Sequence, residues 1–186
     1  MTKIIAPAKL TLSLVITGVR SDGFHLIEAE MVSLDIADVI EITDSDATTL
    51  TVSGPYANGV PTDESNLVSR ALVLAGRTAR VHIEKNIPHG GGLGGGSTDA
   101  AAVLSWAQWS DVPATARLGA DIPFCLIGGR ALVTGIGEIV TPLPHEDKKV
   151  TLFLPPMSVS TPAVYREWDA MGGPKGPNGN DLEPAA

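Results

Sequence analysis

A run of glycines between residues 90 and 96 constrains this chain more than any other feature. Six of the seven residues are glycine. Backbone without Cβ atoms can turn its amide groups inward around an anion, and the first amides of a following helix add positive partial charge. A strand-like segment at 80–84 precedes the run. Ser97, Thr98 and an alanine-rich stretch follow it and predict a helix to about Trp106. The pattern predicts a loop that binds a polyphosphate.

Two other interpretations of the glycine run remain open at this point. The spacing of Gly90, Gly92 and Gly95 matches the dinucleotide fingerprint, which would indicate a nicotinamide-dependent dehydrogenase. A run this rich in glycine matches that fingerprint trivially, and the fingerprint belongs in the first strand-to-helix turn of a parallel unit. The phosphate-loop motif of ATPases is not present, because it requires a Lys directly before the Ser or Thr and no Lys precedes Ser97. A flexible linker is the second alternative, and the helix predicted after the run disfavours it.

Hydrophobic periodicity predicts a domain of mixed α and β structure. Alternating apolar and polar residues indicate a strand over 3–17, and the apolar stretch 26–43 indicates two strands with a break near Asp38. Further predicted elements are a helix that starts at Leu67, strands at 80–84, 131–133 and 150–154, and a linker after Met171.

Composition excludes several classes of protein. The net charge of −8 argues against a protein that binds a nucleic-acid backbone. No uncharged stretch reaches the roughly 18 apolar residues of a membrane span. The single cysteine, Cys125, excludes an intramolecular disulfide and a multi-thiolate zinc site. We therefore expect a cytoplasmic protein that has neither a nucleic-acid nor a membrane partner, and we assign no metal-ligating residues.

Several motifs follow one another in a fixed order along the chain. They are Pro7-Ala8-Lys9 with Leu10 and Leu12, Asp22-Gly23-Phe24-His25, the segment from Lys85 through the glycine run to Ala101, Leu118-Gly119-Ala120-Asp121-Ile122-Pro123-Phe124, and Gly135-Ile136-Gly137-Glu138. Together they resemble the GHMP small-molecule kinases, which include galactose, homoserine, mevalonate and phosphomevalonate kinases.

This resemblance implies the α+β fold of the GHMP-kinase N-terminal domain, a mixed sheet similar to ribosomal protein domain 2 with helices on one side. Residues 1–150 would form the N-terminal ATP-binding domain. Residues 151–186 would be the start of a C-terminal domain that is truncated and incomplete.

The resemblance also implies an activity. Within the family, the chain is most similar to the kinases of the non-mevalonate isoprenoid pathway. ATP would donate its γ-phosphoryl group to the 2-hydroxyl of 4-diphosphocytidyl-2-C-methyl-D-erythritol, with Mg²⁺ as a second cofactor. The partner would be this small molecule, and homodimerisation is left open. The alternative is a catalytically inactive nucleotide-binding remnant or fragment of such a kinase, because the chain is short.

Catalytic and substrate-binding residues are implied by the same motifs. Asp121 matches the base that accepts the hydroxyl proton, and Lys9 matches its cationic partner. Phe24, His25 and Tyr165 match the group that holds the cytosine ring. The substrate site would also include Thr11, which stands where these kinases usually carry Asn.

The remaining matched residues form the expected ATP site. Asn66 and Lys85 match positions near the adenine and ribose. Because the chain is acidic, we expect polyanion binding to depend on loop amides, Lys9, Lys85 and Mg²⁺ rather than on the overall field. The complete expected set is Asn66, Lys85, Pro88, His89, Gly90, Gly91, Gly92, Leu93, Gly94, Gly95, Gly96, Ser97 and Thr98.

Overall fold

Two long antiparallel strands organise the fold. A computed structural model describes residues 1–88, 90–153 and 160–186. Strand β1 (Thr2–Val19) pairs with strand β2 (His25–Asp44) along nearly its whole length. The predicted break near Asp38 is wrong, because β2 continues through that residue. An acidic side chain is tolerated there because its carboxylate accepts two backbone hydrogen bonds from the segment after β4.

The opposite edge of β2 is shared between two shorter strands. Residues 27–32 of β2 pair with β5, and residues 39–44 pair with β4, both antiparallel. β3 runs parallel to β4, while β6 is antiparallel to β5. The ranges are β3 Thr49–Ser53, β4 Ala79–Glu84, β5 Arg130–Gly135 and β6 Ile139–Pro142. The sheet is therefore mixed, as predicted.

Four helices complete the described structure. They are α1 Leu67–Leu74, α2 Gly95–Trp106, α3 Ile122–Ile127 and α4 Thr161–Ala170, with short 3-10 turns at Pro113–Arg117 and Glu183–Ala185. Helix α2 is buried continuously from Thr98 to Leu104. Its small alanine side chains let the helix lie close to the sheet between α1 and α3. This packing brings the glycine run against the centre of the sheet.

Two apolar clusters lie beneath the helices. The larger joins Ile40, Ile42 and Ile83 of the sheet to the buried faces of α1 and α2. The smaller joins Met31 and Val133 to Phe124 of α3 and Trp168 of α4. The α+β fold predicted from the sequence is confirmed by this arrangement. Within the described residues, no helix is long and apolar enough to cross a membrane.

Two sequence-based expectations need correction. The strand predicted at 150–154 is absent from 150–153, which have no regular structure, and residue 154 lies outside the described residues. The glycine run follows β4, which has an antiparallel neighbour on one side and a parallel one on the other. This topology differs from the parallel unit that a dinucleotide fingerprint requires, so the dehydrogenase interpretation loses its structural basis.

Candidate active site

The glycine run forms a tight loop that ends at the start of α2. Gly90, Gly92 and Gly94 all have positive φ angles, of 78°, 71° and 69°. Leu93 is buried beside Ala8 and fixes the middle of the loop to the domain. The loop tip is exposed, and α2 begins at Gly95, two residues before the predicted start at Ser97. Free amides at the start of a 12-residue helix therefore face outward, as anion binding requires.

Lys9 lies directly beneath this loop. Its backbone amide donates to the carbonyl of Leu93 at 2.9 Å. A Cβ built on Gly94 would approach Lys9 Cγ to 2.6 Å, so only glycine allows the loop to pass this close. An irregularity in the β1–β2 pairing falls between Pro7 and Lys9, where a bulge can redirect a side chain. The strand thus presents the ammonium group at the loop.

Lys9 and Asp121 form an ion pair at this position. The distance from Lys9 Nζ to Asp121 Oδ2 is 3.1 Å, and the Lys9 side chain is 11% exposed. Asp121 is the N-cap residue of α3, yet its carboxylate makes no capping hydrogen bond and is left for the site. Lys9 Nζ also donates to Thr11 Oγ1 at 3.3 Å. The structure therefore brings together both expected catalytic residues and one expected substrate residue.

Ser97 and Thr98 occupy different environments. The Ser97 hydroxyl is half-buried and points toward Gly119 in the turn that leads to Asp121. Thr98 is 2% exposed and lies near the thiol of Cys125. Burial raises the pKa of Cys125 to about 12, with a further contribution from the charge of Asp121. The thiol is therefore protonated and unreactive at neutral pH, and Ser97 is the hydroxyl that remains near the loop surface.

A second group of expected residues gathers beside α4. The His25 ring lies 4.7 Å from the Tyr165 ring, measured between centroids, and His25 Nε2 lies 2.8 Å from Asp169 Oδ1. Trp168 meets the His25 ring edge-on at 5.5 Å. Phe24 is 56% exposed and stands at the edge of this group. We call His25, Tyr165, Trp168 and Asp169 the aromatic wall.

The aromatic wall and the Lys9–Asp121 pair are electrostatically connected. Burial raises the pKa of Tyr165 to about 12, and the negative charge of Asp121 adds to the effect. The phenol therefore stays neutral and lies within reach of the field of the carboxylate. Trp168 and Asp169 were not found from the sequence. The only signal for Trp168 was its helical spacing of three residues from Tyr165, which places both on one face of α4.

A cavity of about 330 Å³ adjoins the other side of the glycine loop. Its lining includes Asn66, Leu67, Pro88, Gly95 and Gly96. Asn66 caps α1 through a hydrogen bond from the Val68 amide, so its side chain is already fixed. His89, expected in the ATP site, lies outside the described residues.

Lys85 lines the same cavity, but its ammonium group is bound by two acidic side chains. Its ammonium donates to Asp38 and to Asp99, the latter at 2.7 Å, and Lys85 is only 3% exposed. Burial raises the pKa of Asp99 to about 7, although the charge of Lys85 acts in the opposite direction. Asp38 and Asp99 were missed at the sequence level. An acidic residue inside an apolar strand and another just before the alanine run of a helix were the available signals.

Comparison with known proteins agrees with this geometry. Residues 66–129 match the family described as GHMP kinases N terminal domain. The chain is 46% identical over 162 residues to a 4-diphosphocytidyl-2-C-methyl-D-erythritol kinase of Paracoccus denitrificans, covering 87% of this chain and 59% of that protein. It is 41% identical to the kinase of the same name from Cereibacter sphaeroides, covering 89% of this chain and 63% of that protein.

A solved structure gives the same result. The crystal structure of a 4-(cytidine 5'-diphospho)-2C-methyl-D-erythritol kinase superposes with a TM-score of 0.67 at 37% identity, over 89% of this chain and 64% of that one. A Listeria innocua protein, at 16% identity and a TM-score of 0.61, shares the fold. The chain thus spans about three fifths of the length of the relatives it matches. The resemblance to the GHMP kinases predicted from the motifs is confirmed.

Proposed function

We propose that this chain binds ATP and a cytidine diphosphate ester and transfers the γ-phosphoryl group to the 2-hydroxyl of 4-diphosphocytidyl-2-C-methyl-D-erythritol. The observation that carries the proposal is the Lys9–Asp121 pair, which lies against the glycine loop and directly before α3, the helix whose Phe124 packs in the same apolar cluster as Tyr165 of the aromatic wall. A phosphate donor on one side and an acceptor on the other would meet at this pair. The relatives named above support the choice of substrate.

The glycine loop supplies the phosphate contacts in this proposal. The amides of residues 90–96 and the first turn of α2 stabilise the negative charge of the β- and γ-phosphates. The cavity beside the loop, which Asn66 and Pro88 line, is the proposed position of the adenine. Mg²⁺ would enter bound to the phosphates of ATP and would help to neutralise their charge, and the Ser97 hydroxyl could hold it on the loop side. Such nucleotide-bound Mg²⁺ needs few protein ligands.

Asp121 and Lys9 have separate roles in the transfer. The carboxylate of Asp121 accepts the proton of the 2-hydroxyl as its oxygen attacks the γ-phosphorus. The bond from the γ-phosphorus to the bridging oxygen then breaks, and ADP leaves with that electron pair. The Lys9 ammonium stabilises the charge on the transferred group and holds the acceptor oxygen. Asp121 can act as a base because it makes no capping hydrogen bond to α3.

The aromatic wall is the proposed cytidine site. A flat pyrimidine ring can stack on Tyr165, and the edge of His25 can exchange a hydrogen bond with it. Asp169 fixes the orientation of His25 through Nε2, which leaves Nδ1 for the ligand. Phe24 would cover the ring from its exposed position.

The test is ADP formation by the purified chain with Mg-ATP and the cytidyl substrate. We expect turnover in the unmodified chain and a loss of about 100-fold or more in Asp121→Asn, because general base catalysis contributes about 10²–10⁴-fold. Asp147→Asn is the matched control, since Asp147 is fully exposed and lies in the segment after β6. Equal activity in Asp121→Asn would refute the role of the base. Nucleotide binding without turnover in the unmodified chain would favour the inactive remnant.

Location and assembly are also part of the proposal. A cytoplasmic location is supported by the need for ATP and by the single cysteine, which provides for no internal disulfide. Homodimerisation stays a prediction that sedimentation velocity can decide.

A further inference from the structure

The chain from Pro174 to Ala186, here called the C-terminal strap, lies across β1. The sequence had indicated a linker for the first part of this segment. In the structure, the Leu14 amide donates to the Gly179 carbonyl at 2.8 Å, and the Asp181 amide donates to the Leu14 carbonyl at 2.8 Å. These bonds form an isolated parallel bridge at the edge of β1 that faces away from β2. The strap is therefore an ordered part of the domain.

Asp181 fixes the strap by its side chain as well. Its Oδ2 accepts from the Ile16 amide at 2.9 Å and from Lys175 Nζ at 2.8 Å, and its Oδ1 accepts from the Gly176 amide at 3.2 Å. Asp181 is 3% exposed. Hydrogen bonds to a buried charged group are among the stronger ones in proteins. The carboxylate thus joins two segments of the chain that are 165 residues apart in sequence.

The strap in turn supports the helix that carries the aromatic wall. The indole of Trp168 donates to the Pro174 carbonyl at 2.9 Å. Leu182 and Ala185 pack in the same apolar cluster as Tyr165 and Trp168. Helix α4 has ten residues, of which only Val164 and Trp168 are buried. A helix this short is marginal by itself, so its position depends on such tertiary contacts.

We infer that Asp181 is a positioning residue for the proposed cytidine site. It holds the strap on β1, the strap holds α4, and α4 holds Tyr165 and Asp169 against His25. This inference rests on the proposed function for the identity of the ligand. It predicts that loss of the Asp181 carboxylate weakens cytidine binding while the glycine loop, which shares no hydrogen bond with the strap in the described structure, binds adenine nucleotides as before.

The test measures binding of cytidine 5'-diphosphate and of ADP to the full chain by titration calorimetry. For Asp181→Asn we expect at least tenfold weaker binding of cytidine 5'-diphosphate and less than twofold change for ADP. The control is Glu183→Gln, also in the strap, where an exposed carboxylate accepts from Asn178. Both affinities should be unchanged in that variant. Hydrogen exchange should show faster exchange in α4 of Asp181→Asn and unchanged exchange in α2.

A second variant covers the case in which Asp181→Asn does not fold. Lys175→Met removes one of the three donors to Asp181 and leaves both backbone amides. We expect a two- to threefold loss of cytidine 5'-diphosphate affinity with ADP affinity retained. Equal losses for both nucleotides, or none in either variant, would overturn the positioning role. If the unmodified chain binds ADP but not cytidine 5'-diphosphate, the proposed substrate is wrong. The assignment of cytidine to the aromatic wall would then be wrong as well.

Discussion

Replacing Asp99 by Asn is predicted to change how the stability of this protein depends on pH. The Asp99 carboxyl is 3% exposed, and its Oδ1 has no hydrogen-bond partner in the described part of the chain. Burial raises its pKa from the ordinary value of 3.8 to about 7, the Lys85 charge lowers it, and the Asp38 charge raises it further. The folded chain therefore keeps a proton on Asp99 at pH values where the unfolded chain has lost it.

The sign and size of the effect follow from this difference. Between pH 3.8 and 7 the folded state binds more protons, so the free energy of unfolding falls as pH rises, by up to about 1.4 kcal/mol per pH unit. From pH 5 to pH 7 the loss amounts to about 2 kcal/mol, and above pH 7 the curve flattens. Asparagine does not titrate, so Asp99→Asn should lack this contribution.

Urea unfolding at pH 5, 6, 7 and 8 measures the difference. We expect the unmodified chain to lose about 2 kcal/mol relative to Asp99→Asn between pH 5 and pH 7. The two proteins differ only at residue 99, so contributions from the rest of the chain cancel in the comparison. For Asp147→Asn, at an exposed position, the free energy of unfolding should depend on pH in the same way as for the unmodified chain. Parallel curves for Asp99→Asn, or a difference of opposite sign, would mean that Lys85 keeps Asp99 ionised and would refute the reasoning.

Two further predictions concern the loop and the thiol. Gly94→Ala and Gly92→Ala both place a side chain at positive φ, but only the Cβ of Gly94→Ala meets Lys9. Urea unfolding should therefore find Gly94→Ala less stable than Gly92→Ala by about 1–3 kcal/mol. Equal losses of stability in the two variants would contradict the close approach of the loop to Lys9. Cys125, with its pKa raised to about 12, should react slowly with iodoacetamide in the folded protein and rapidly in urea, as followed by mass spectrometry. Fast modification of the folded chain would contradict the raised pKa.

Local sequence signals predicted the parts of the site that depend on local backbone. Alternating residues identified β1, and the glycine run with the following alanines identified the loop and α2. These features depend on residues close in sequence, so a single chain is enough to recognise them. The motif resemblance then supplied Lys9 and Asp121, which the structure brings to 3.1 Å.

Contacts between distant segments were not predictable in the same way. The acidic residues within the apolar stretch 26–43 predict a break between two strands near Asp38. The partners of Asp38 are Lys85 and the amides of Asn86 and Ile87, almost 50 residues away. Asp181 likewise acts on Ile16 across 165 residues. Periodicity carries no information about such pairs, so the sequence indicated a break and a linker.

The charge around the loop shows why an acidic chain can offer a phosphate site. Lys85 was expected to compensate the phosphates, but the charge of Asp38 already neutralises it, and it also donates a hydrogen bond to Asp99. Lys9 is likewise paired with Asp121. If Asp99 were ionised, the buried group beside the loop would carry a net negative charge and would oppose a nucleotide. The raised pKa of Asp99 keeps this group close to neutral, so the loop amides and the α2 terminus can attract phosphate. Anion affinity should therefore fall as pH rises through 7.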